Sequence, residues 1–141
     1  MSTNYGAPQT ETIESQTVAA TIAAASASGV YVKAPFAGTV SAASVITATA
    51  LSGANTESRT IQLHNRGQAG VGTALVASKA FISGVNAVAD DETVLTLTAT
   101  AADLVVAAGD ILEFTSLSVG GTGLAGPAFA GSVTFSRVSG S

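Results

Sequence analysis

Cysteine and tryptophan do not occur in this chain, histidine occurs once, and Asp, Glu, Lys and Arg together make up only 10 % of it. Each scarcity excludes something. Without cysteine there is no disulfide framework and no thiolate chemistry, so stability must come from packing or assembly. A soluble domain ordinarily carries about 25 % charged residues. General acids, general bases and metal ligands come from the types that are short here, so the composition points away from an enzyme and no cofactor is expected. The five basic residues, Lys33, Arg59, Arg66, Lys79 and Arg137, are scattered, and the net charge is -4. That balance points away from nucleic acid, whose binding releases counterions only where Lys and Arg cluster. No run of about 18 apolar residues occurs, because Ser, Thr and Gly interrupt every candidate, so no membrane partner is expected. Residues 1–16 lack the basic and apolar regions of a secretory signal, and the expected site of synthesis is a cytoplasm.

What is present is small and neutral. Ala, Ser, Thr and Gly fill 77 of the 141 positions, and the larger apolar residues are 15 Val, 9 Leu, 6 Ile and 5 Phe, a set that favours strands. The length fits one domain. Residues 1–16 read as an extended polar N-terminal arm with almost nothing to bury, expected to order only against a neighbour. Residues 17–141 read as an all-β antiparallel sandwich, jelly-roll-like, of about eight strands. The cleanest strand is Ser58–His64, with Arg59, Ile61 and Leu63 on one face and Thr60, Gln62 and His64 on the other. Gly131–Arg137 repeats the alternation, with Val133 and Phe135 inward, and reads as the closing strand. Further strands are expected near Val18–Ala24, Val30–Lys33, Gly38–Ala48, Ala74–Ile82, Thr93–Thr98 and Asp110–Ser118. Gly67, Gly70 and Gly72 punctuate one connection, Gly84 and Asn86 allow positive φ in another, and Ala107–Asp110 forms a tight turn. A helical turn is expected within Ala99–Val106, with Thr100 as its N-cap.

The candidate chemical sites have plain readings. His64, on the polar face of its strand, has no nucleophile and orienting acid beside it in sequence and reads as a surface histidine. Asp90, Asp91 and Glu92 supply oxygen ligands of the kind calcium takes, yet adjacent carboxylates do not converge on one ion and no calcium-loop motif follows, so a solvated turn is expected. Asp110 and Glu113 are three apart, which on a strand puts them on opposite faces and spoils a paired-acid arrangement. The glycine-rich loop is followed by no Gly-Lys-Ser or Gly-Lys-Thr and is not a phosphate cradle. No catalytic, cofactor or metal residue is assigned.

From Gly53 to Arg137 the chain carries a run of turn and strand signatures. These are Ala54-Asn55-Thr56, Arg59-Thr60-Ile61-Gln62-Leu63, Asn65-Arg66-Gly67-Gln68, Gly72-Thr73, Ser83-Gly84-Val85-Asn86-Ala87, Leu95-Thr96-Leu97, Ala107-Ala108-Gly109-Asp110, Gly121-Thr122-Gly123-Leu124 and Val133-Thr134-Phe135-Ser136-Arg137. In that order they resemble small head-decoration or minor capsid proteins of tailed bacteriophages, especially phages of actinobacteria. The resemblance implies a non-enzymatic virion protein on the capsid exterior, partnered by the major capsid protein and by itself as a homotrimer. Contact residues are then sought in the arm, at Tyr5, Pro8, Thr10, Glu11 and Ile13. A receptor-binding or adhesive protein of a tail or head fibre is the alternative, and it would need exposed aromatic rings to stack on sugars.

Overall fold

A computed structural model describes residues 9–18, 30–120 and 127–139; for 9–18, 138 and 139 it describes the backbone. Ten strands lie among these residues: β1 (Gln9–Val18), β2 (Val30–Lys33), β3 (Gly38–Thr47), β4 (Ser58–Gly67), β5 (Ala74–Phe81), β6 (Glu92–Val94), β7 (Thr96–Leu97), β8 (Val105–Val106), β9 (Ile111–Val119) and β10 (Phe129–Ser139). They form two five-stranded antiparallel sheets. Sheet A runs β1-β10-β3-β6, with β8 also on β3, and sheet B runs β2-β9-β4-β5-β7. Early strands pair with late ones, β1 with β10 and β2 with β9, and successive early strands fall in opposite sheets. That nesting is a long hairpin wrapped around a barrel axis, which is the jelly roll expected from the sequence.

Alternation of side chains decides which face of each sheet turns inward. Sheet A contributes Val40, Val45, Phe129, Val133 and Phe135 to the core, and sheet B contributes Val30, Val32, Ile61, Leu63, Phe81, Leu112 and Phe114. All five Phe are buried. Each such side chain removed from water contributes about 1.5–3 kcal/mol. The two sheets meet closely where the Phe114 ring lies over Gly131: a Cβ at 131 would stand 2.5 Å from ring carbons of Phe114. The same ring meets Phe129 edge to face, with centroids 6.3 Å apart.

The structure departs from the sequence reading in several places. Thr93–Thr98 is two strands, since the chain passes from sheet A to sheet B at Leu95, which is 2 % exposed. The turn after Ala99 is a short 3-10 helix, Ala101–Leu104, and Thr100 makes no side-chain cap bond to it. Asn86 does not take positive φ; its Oδ1 accepts a hydrogen bond from the Gly53 N–H at 2.8 Å, and among the described residues the non-glycine residue with positive φ is Asp90, at 60°. The largest departure is at the N-terminus. Part of the segment read as an arm without a place on its own domain is β1, laid along β10 from Gln9↔Ser139 to Val18↔Ala130. Composition misled because the ladder is made by backbone groups, which need no apolar side chain to pair. The expected strand at Val18–Ala24 lies beyond the described residues except for Val18, which ends β1.

Candidate functional site

The outer face of sheet B collects a cluster of polar and aromatic side chains. Burial of Val30 and Val32 turns Tyr31 and Lys33 outward from β2, and burial of Leu112 and Phe114 turns Ile111 and Glu113 outward from β9. Register then lines them up: Tyr31 stands opposite Glu113, and Glu113 opposite His64 of β4. Tyr31 is 54 % exposed. Arg66 joins the row through an irregularity. The β4–β9 register shifts between Asn65 and Gly67, leaving Arg66 as the extra residue of a bulge, and bulges re-aim the side chains they carry.

The guanidinium so placed reaches Glu113. Arg66 Nη2 lies 2.6 Å and Nε 2.7 Å from the same oxygen, Glu113 Oε1. Its Nη1 donates to the Gly72 carbonyl at 3.1 Å, while the Gly72 N–H donates back to the Arg66 carbonyl at 2.9 Å. Gly72 is required there, because a Cβ would come within 2.6 Å of the Asn65 carbonyl oxygen. Asn65 fixes the loop further: its Oδ1 accepts from Gly67 N–H at 2.8 Å and its Nδ2 donates to Asp110 Oδ2 at 3.1 Å. Asp110 also caps its own turn, accepting from the Ala107 N–H at 2.9 Å. The loop after β4 and the turn before β9 are thereby tied together beneath the cluster.

Charge within the cluster is balanced locally. Glu113 accepts a hydrogen bond from the Tyr31 phenol, which together with its negative charge holds the Tyr31 pKa above its ordinary value. Burial, then the neighbouring Arg66 charge, push the His64 imidazole below its ordinary value, with Glu113 acting in the opposite sense. His64 Nδ1 is buried and has no hydrogen-bond partner among the described residues. Tyr31, Lys33, Arg66, Gly70, Ile111 and Glu113, with Val32, line an open recess of about 610 Å³. Such a surface offers a ring face, a carboxylate and two cationic donors. Among the described residues that line it there is no Ser, Thr or Cys.

Residues singled out from sequence fall elsewhere. Thr10, Glu11 and Ile13 stand on β1, opposite Val138, Arg137 and Phe135. Tyr5 and Pro8 lie outside the described residues. The acidic run is divided by function: Glu92 Oε2 accepts from Ser44 Oγ at 2.8 Å, and Asp91 Oδ1 accepts from the Glu92 N–H. No group of three or more His, Cys, Asp or Glu converges on a common point among the described residues. Asp110 and Glu113 do not share a strand: Asp110 lies in the turn before β9 and Glu113 on the outer face of β9. His64, read as a surface residue, is half-buried. Sequence reasoning missed the Tyr31 recess, although the alternation Val30-Tyr31-Val32-Lys33 carries the signal that Tyr31 faces out.

No family model matches the sequence, and no curated protein matches it. Among solved structures the chain is similar to one in "Structure of infectious bursal disease virus Gx strain", with 13 % identity and a TM-score of 0.36 over 96 % of this chain and 34 % of that one. It is also similar to one in the Gt strain structure of the same virus, with 13 % identity and a TM-score of 0.33 over 94 % of this chain and 34 % of that one. This chain spans about a third of the length of those chains. The jelly-roll assignment rests on strand order and register alone.

Proposed function

We propose that this chain is a structural protein of a virion, a head-decoration or cement protein that binds the outside of a phage capsid and stabilises it. The observation that carries the reading is β1, a ten-residue strand at the end of sheet A, built from the polar N-terminal segment. Among the described residues β1 has one paired neighbour, β10, and an end strand of this kind offers a row of backbone donors and acceptors to a partner chain, for which strand addition needs no particular side chain. The part of the outer face formed by β3 and β10, with Ser41, Ala42, Ser132, Thr134 and Ser136, carries small uncharged side chains and lets a second surface approach closely. Jelly rolls are common in viral shells, which supports the role by analogy of fold; the resemblance of the signatures between Gly53 and Arg137 to phage head proteins supports the finer reading. The partners are the major capsid protein and further copies of the chain, as a homotrimer whose multivalency multiplies weak contacts. It is made in the host cytoplasm, acts on the capsid exterior, and neither catalyses a reaction nor uses a cofactor.

The test is to purify virions whose genome encodes the chain and count it against the major capsid protein by quantitative mass spectrometry. Copies in fixed proportion to the capsid lattice are expected. Absence from the particle, or a handful of copies confined to tails, overturns the reading. The second outcome would favour the adhesive alternative, for which the exposed ring of Tyr31 is the specific observation.

A further inference from the structure

We propose that the Tyr31 recess on the outer face of sheet B binds a short saccharide. The inference stands apart from the virion reading, since a sugar site on this face serves a decoration protein and an adhesive protein alike. Three observations carry it. The first is exposure: the chain buries every phenylalanine in its core but leaves Tyr31 54 % exposed at the mouth of the recess. A phenol ring held open offers a flat apolar face with a polar rim, the surface that matches the C–H face of a pyranose ring.

The second is the polar set beside that ring. Glu113 supplies a carboxylate acceptor, Arg66 and Lys33 supply cationic donors, and all three line the same recess as Tyr31. Sugar hydroxyls are both donors and acceptors, so neighbouring hydroxyls can bond to a carboxylate and a cation at once, and such charge-assisted bonds are the strong ones. The pairing of Arg66 with Glu113 at 2.6 Å cancels one positive charge against the negative one. What remains suits polyhydroxylated ligands better than phosphates, which favour clustered unpaired cations.

The third is rigidity and size. Arg66 is held at both ends, by Glu113 and by the Gly72 carbonyl, and its loop is tied through Asn65 to Asp110. A site that is already in place loses little freedom when its ligand arrives. At about 610 Å³ the recess lies inside the range of small-molecule sites, roughly 300–1,000 Å³.

The full chain is titrated with maltotriose, cellotriose, chitotriose and sialyllactose, reading saturation-transfer NMR and calorimetry. At least one is expected to bind, with transfer from tyrosine ring protons. Tyr31→Ala is expected to weaken that binding at least tenfold with little change in the thermal midpoint, because more than half of the side chain is in solvent and its bond to Glu113 is an exposed one. Tyr31→Phe is expected to keep most of it, since the ring face remains. Lys33→Met, which leaves the Arg66–Glu113 pair intact, is expected to weaken it severalfold. Failure of all four sugars to bind overturns the proposal, and so does binding that survives Tyr31→Ala. Neither failure bears on the copy number of the chain in virions.

Discussion

The two outer faces of this sandwich are built from the same core and differ in almost everything else. On sheet A the bulge at Ser41 carries exposed hydroxyl contacts: Ser41 Oγ lies 2.9 Å from Ser136 Oγ and donates to the Thr134 carbonyl at 3.3 Å. On sheet B the bulge at Arg66 is held by an ion pair and by loop glycines. Along β3 and β10 the first face is small and hydroxyl-rich, suited to close approach over an area, with the Glu92 carboxylate beyond it on β6. The other concentrates in a few residues much of the chemistry that so charge-poor a chain possesses. The difference teaches that the overall composition describes sheet A well and sheet B poorly, because a site needs only a handful of residues brought together by register.

The core beneath both faces is where the largest effect is expected. Phe114→Ala removes the ring that seats on Gly131 and meets Phe129, and should cost about 3–5 kcal/mol in denaturant unfolding. Gly131→Ala forces a Cβ to within 2.5 Å of the same ring, and overpacking of this kind costs roughly 1–3 kcal/mol. The double variant Gly131→Ala/Phe114→Leu should lose less than the sum of its single changes, since the smaller side chain vacates the space the new methyl needs. Strict additivity would show that the two sheets do not meet there.

Next in size is the edge of sheet A. Deleting residues 1–18 strips β10 of the partner that it holds from Ala130 to Ser139, and the thermal midpoint should fall by roughly 10 °C, the equivalent of a few kcal/mol for a domain of this length. A midpoint within about 2 °C of the full chain would return residues 9–18 to the status of a dispensable arm.

Much of the fold was legible in the sequence, and the reasons are local. The parity of Arg59, Ile61 and Leu63 puts them on one face, and all three are fully buried. That Arg59 is tolerated there depends on contacts the strand itself does not reveal, among them its Nη1 bond to Ser116 Oγ at 2.8 Å from the neighbouring strand β9. Val133 and Phe135 were placed inward for the same reason and are fully buried too. The crossing at Leu95 was not legible, because the adjacent apolar pair Val94-Leu95 does not say which of the two is buried: Leu95 is 2 % exposed and Val94 60 %. The candidate site was less legible still. Tyr31, Arg66 and Glu113 are far apart in sequence, and only the β2-β9-β4 register, with one bulge, makes them neighbours.

A smaller effect should distinguish the faces by pH. The folded state holds His64 below its ordinary value through burial and the Arg66 charge, so the unfolded chain binds the proton more readily, beginning near pH 6.5. Stability is then unaffected above that pH and falls as the pH drops through 6.5 toward the folded value, with a slope of at most about 1.4 kcal/mol per pH unit for one proton. Thermal midpoints measured between pH 7.5 and 5 should show this loss in the native chain and a shallower one in His64→Gln. Equal slopes in the two chains would mean that the imidazole is protonated in the fold as easily as out of it.

The smallest effect belongs to the hydroxyls of sheet A. Ser41 is the extra residue of the β3 bulge, which opposes Val40 to Phe135 and Ala42 to Thr134. Its hydrogen bonds to Ser136 and Thr134 are exposed, so water replaces each of them when the hydroxyl is removed. Ser41→Ala and Ser136→Ala should therefore each change stability by no more than about 0.5 kcal/mol. The bulge persists without them because its geometry is set by the backbone: Gly38 sits so close to the Ser136 carbonyl that a Cβ there would be only 2.3 Å from the oxygen. A loss above 1 kcal/mol in Ser41→Ala alone would mean that the hydroxyl pair holds the bulge open, and that sheet A, like sheet B, depends on a specific polar contact to keep its outer face in shape.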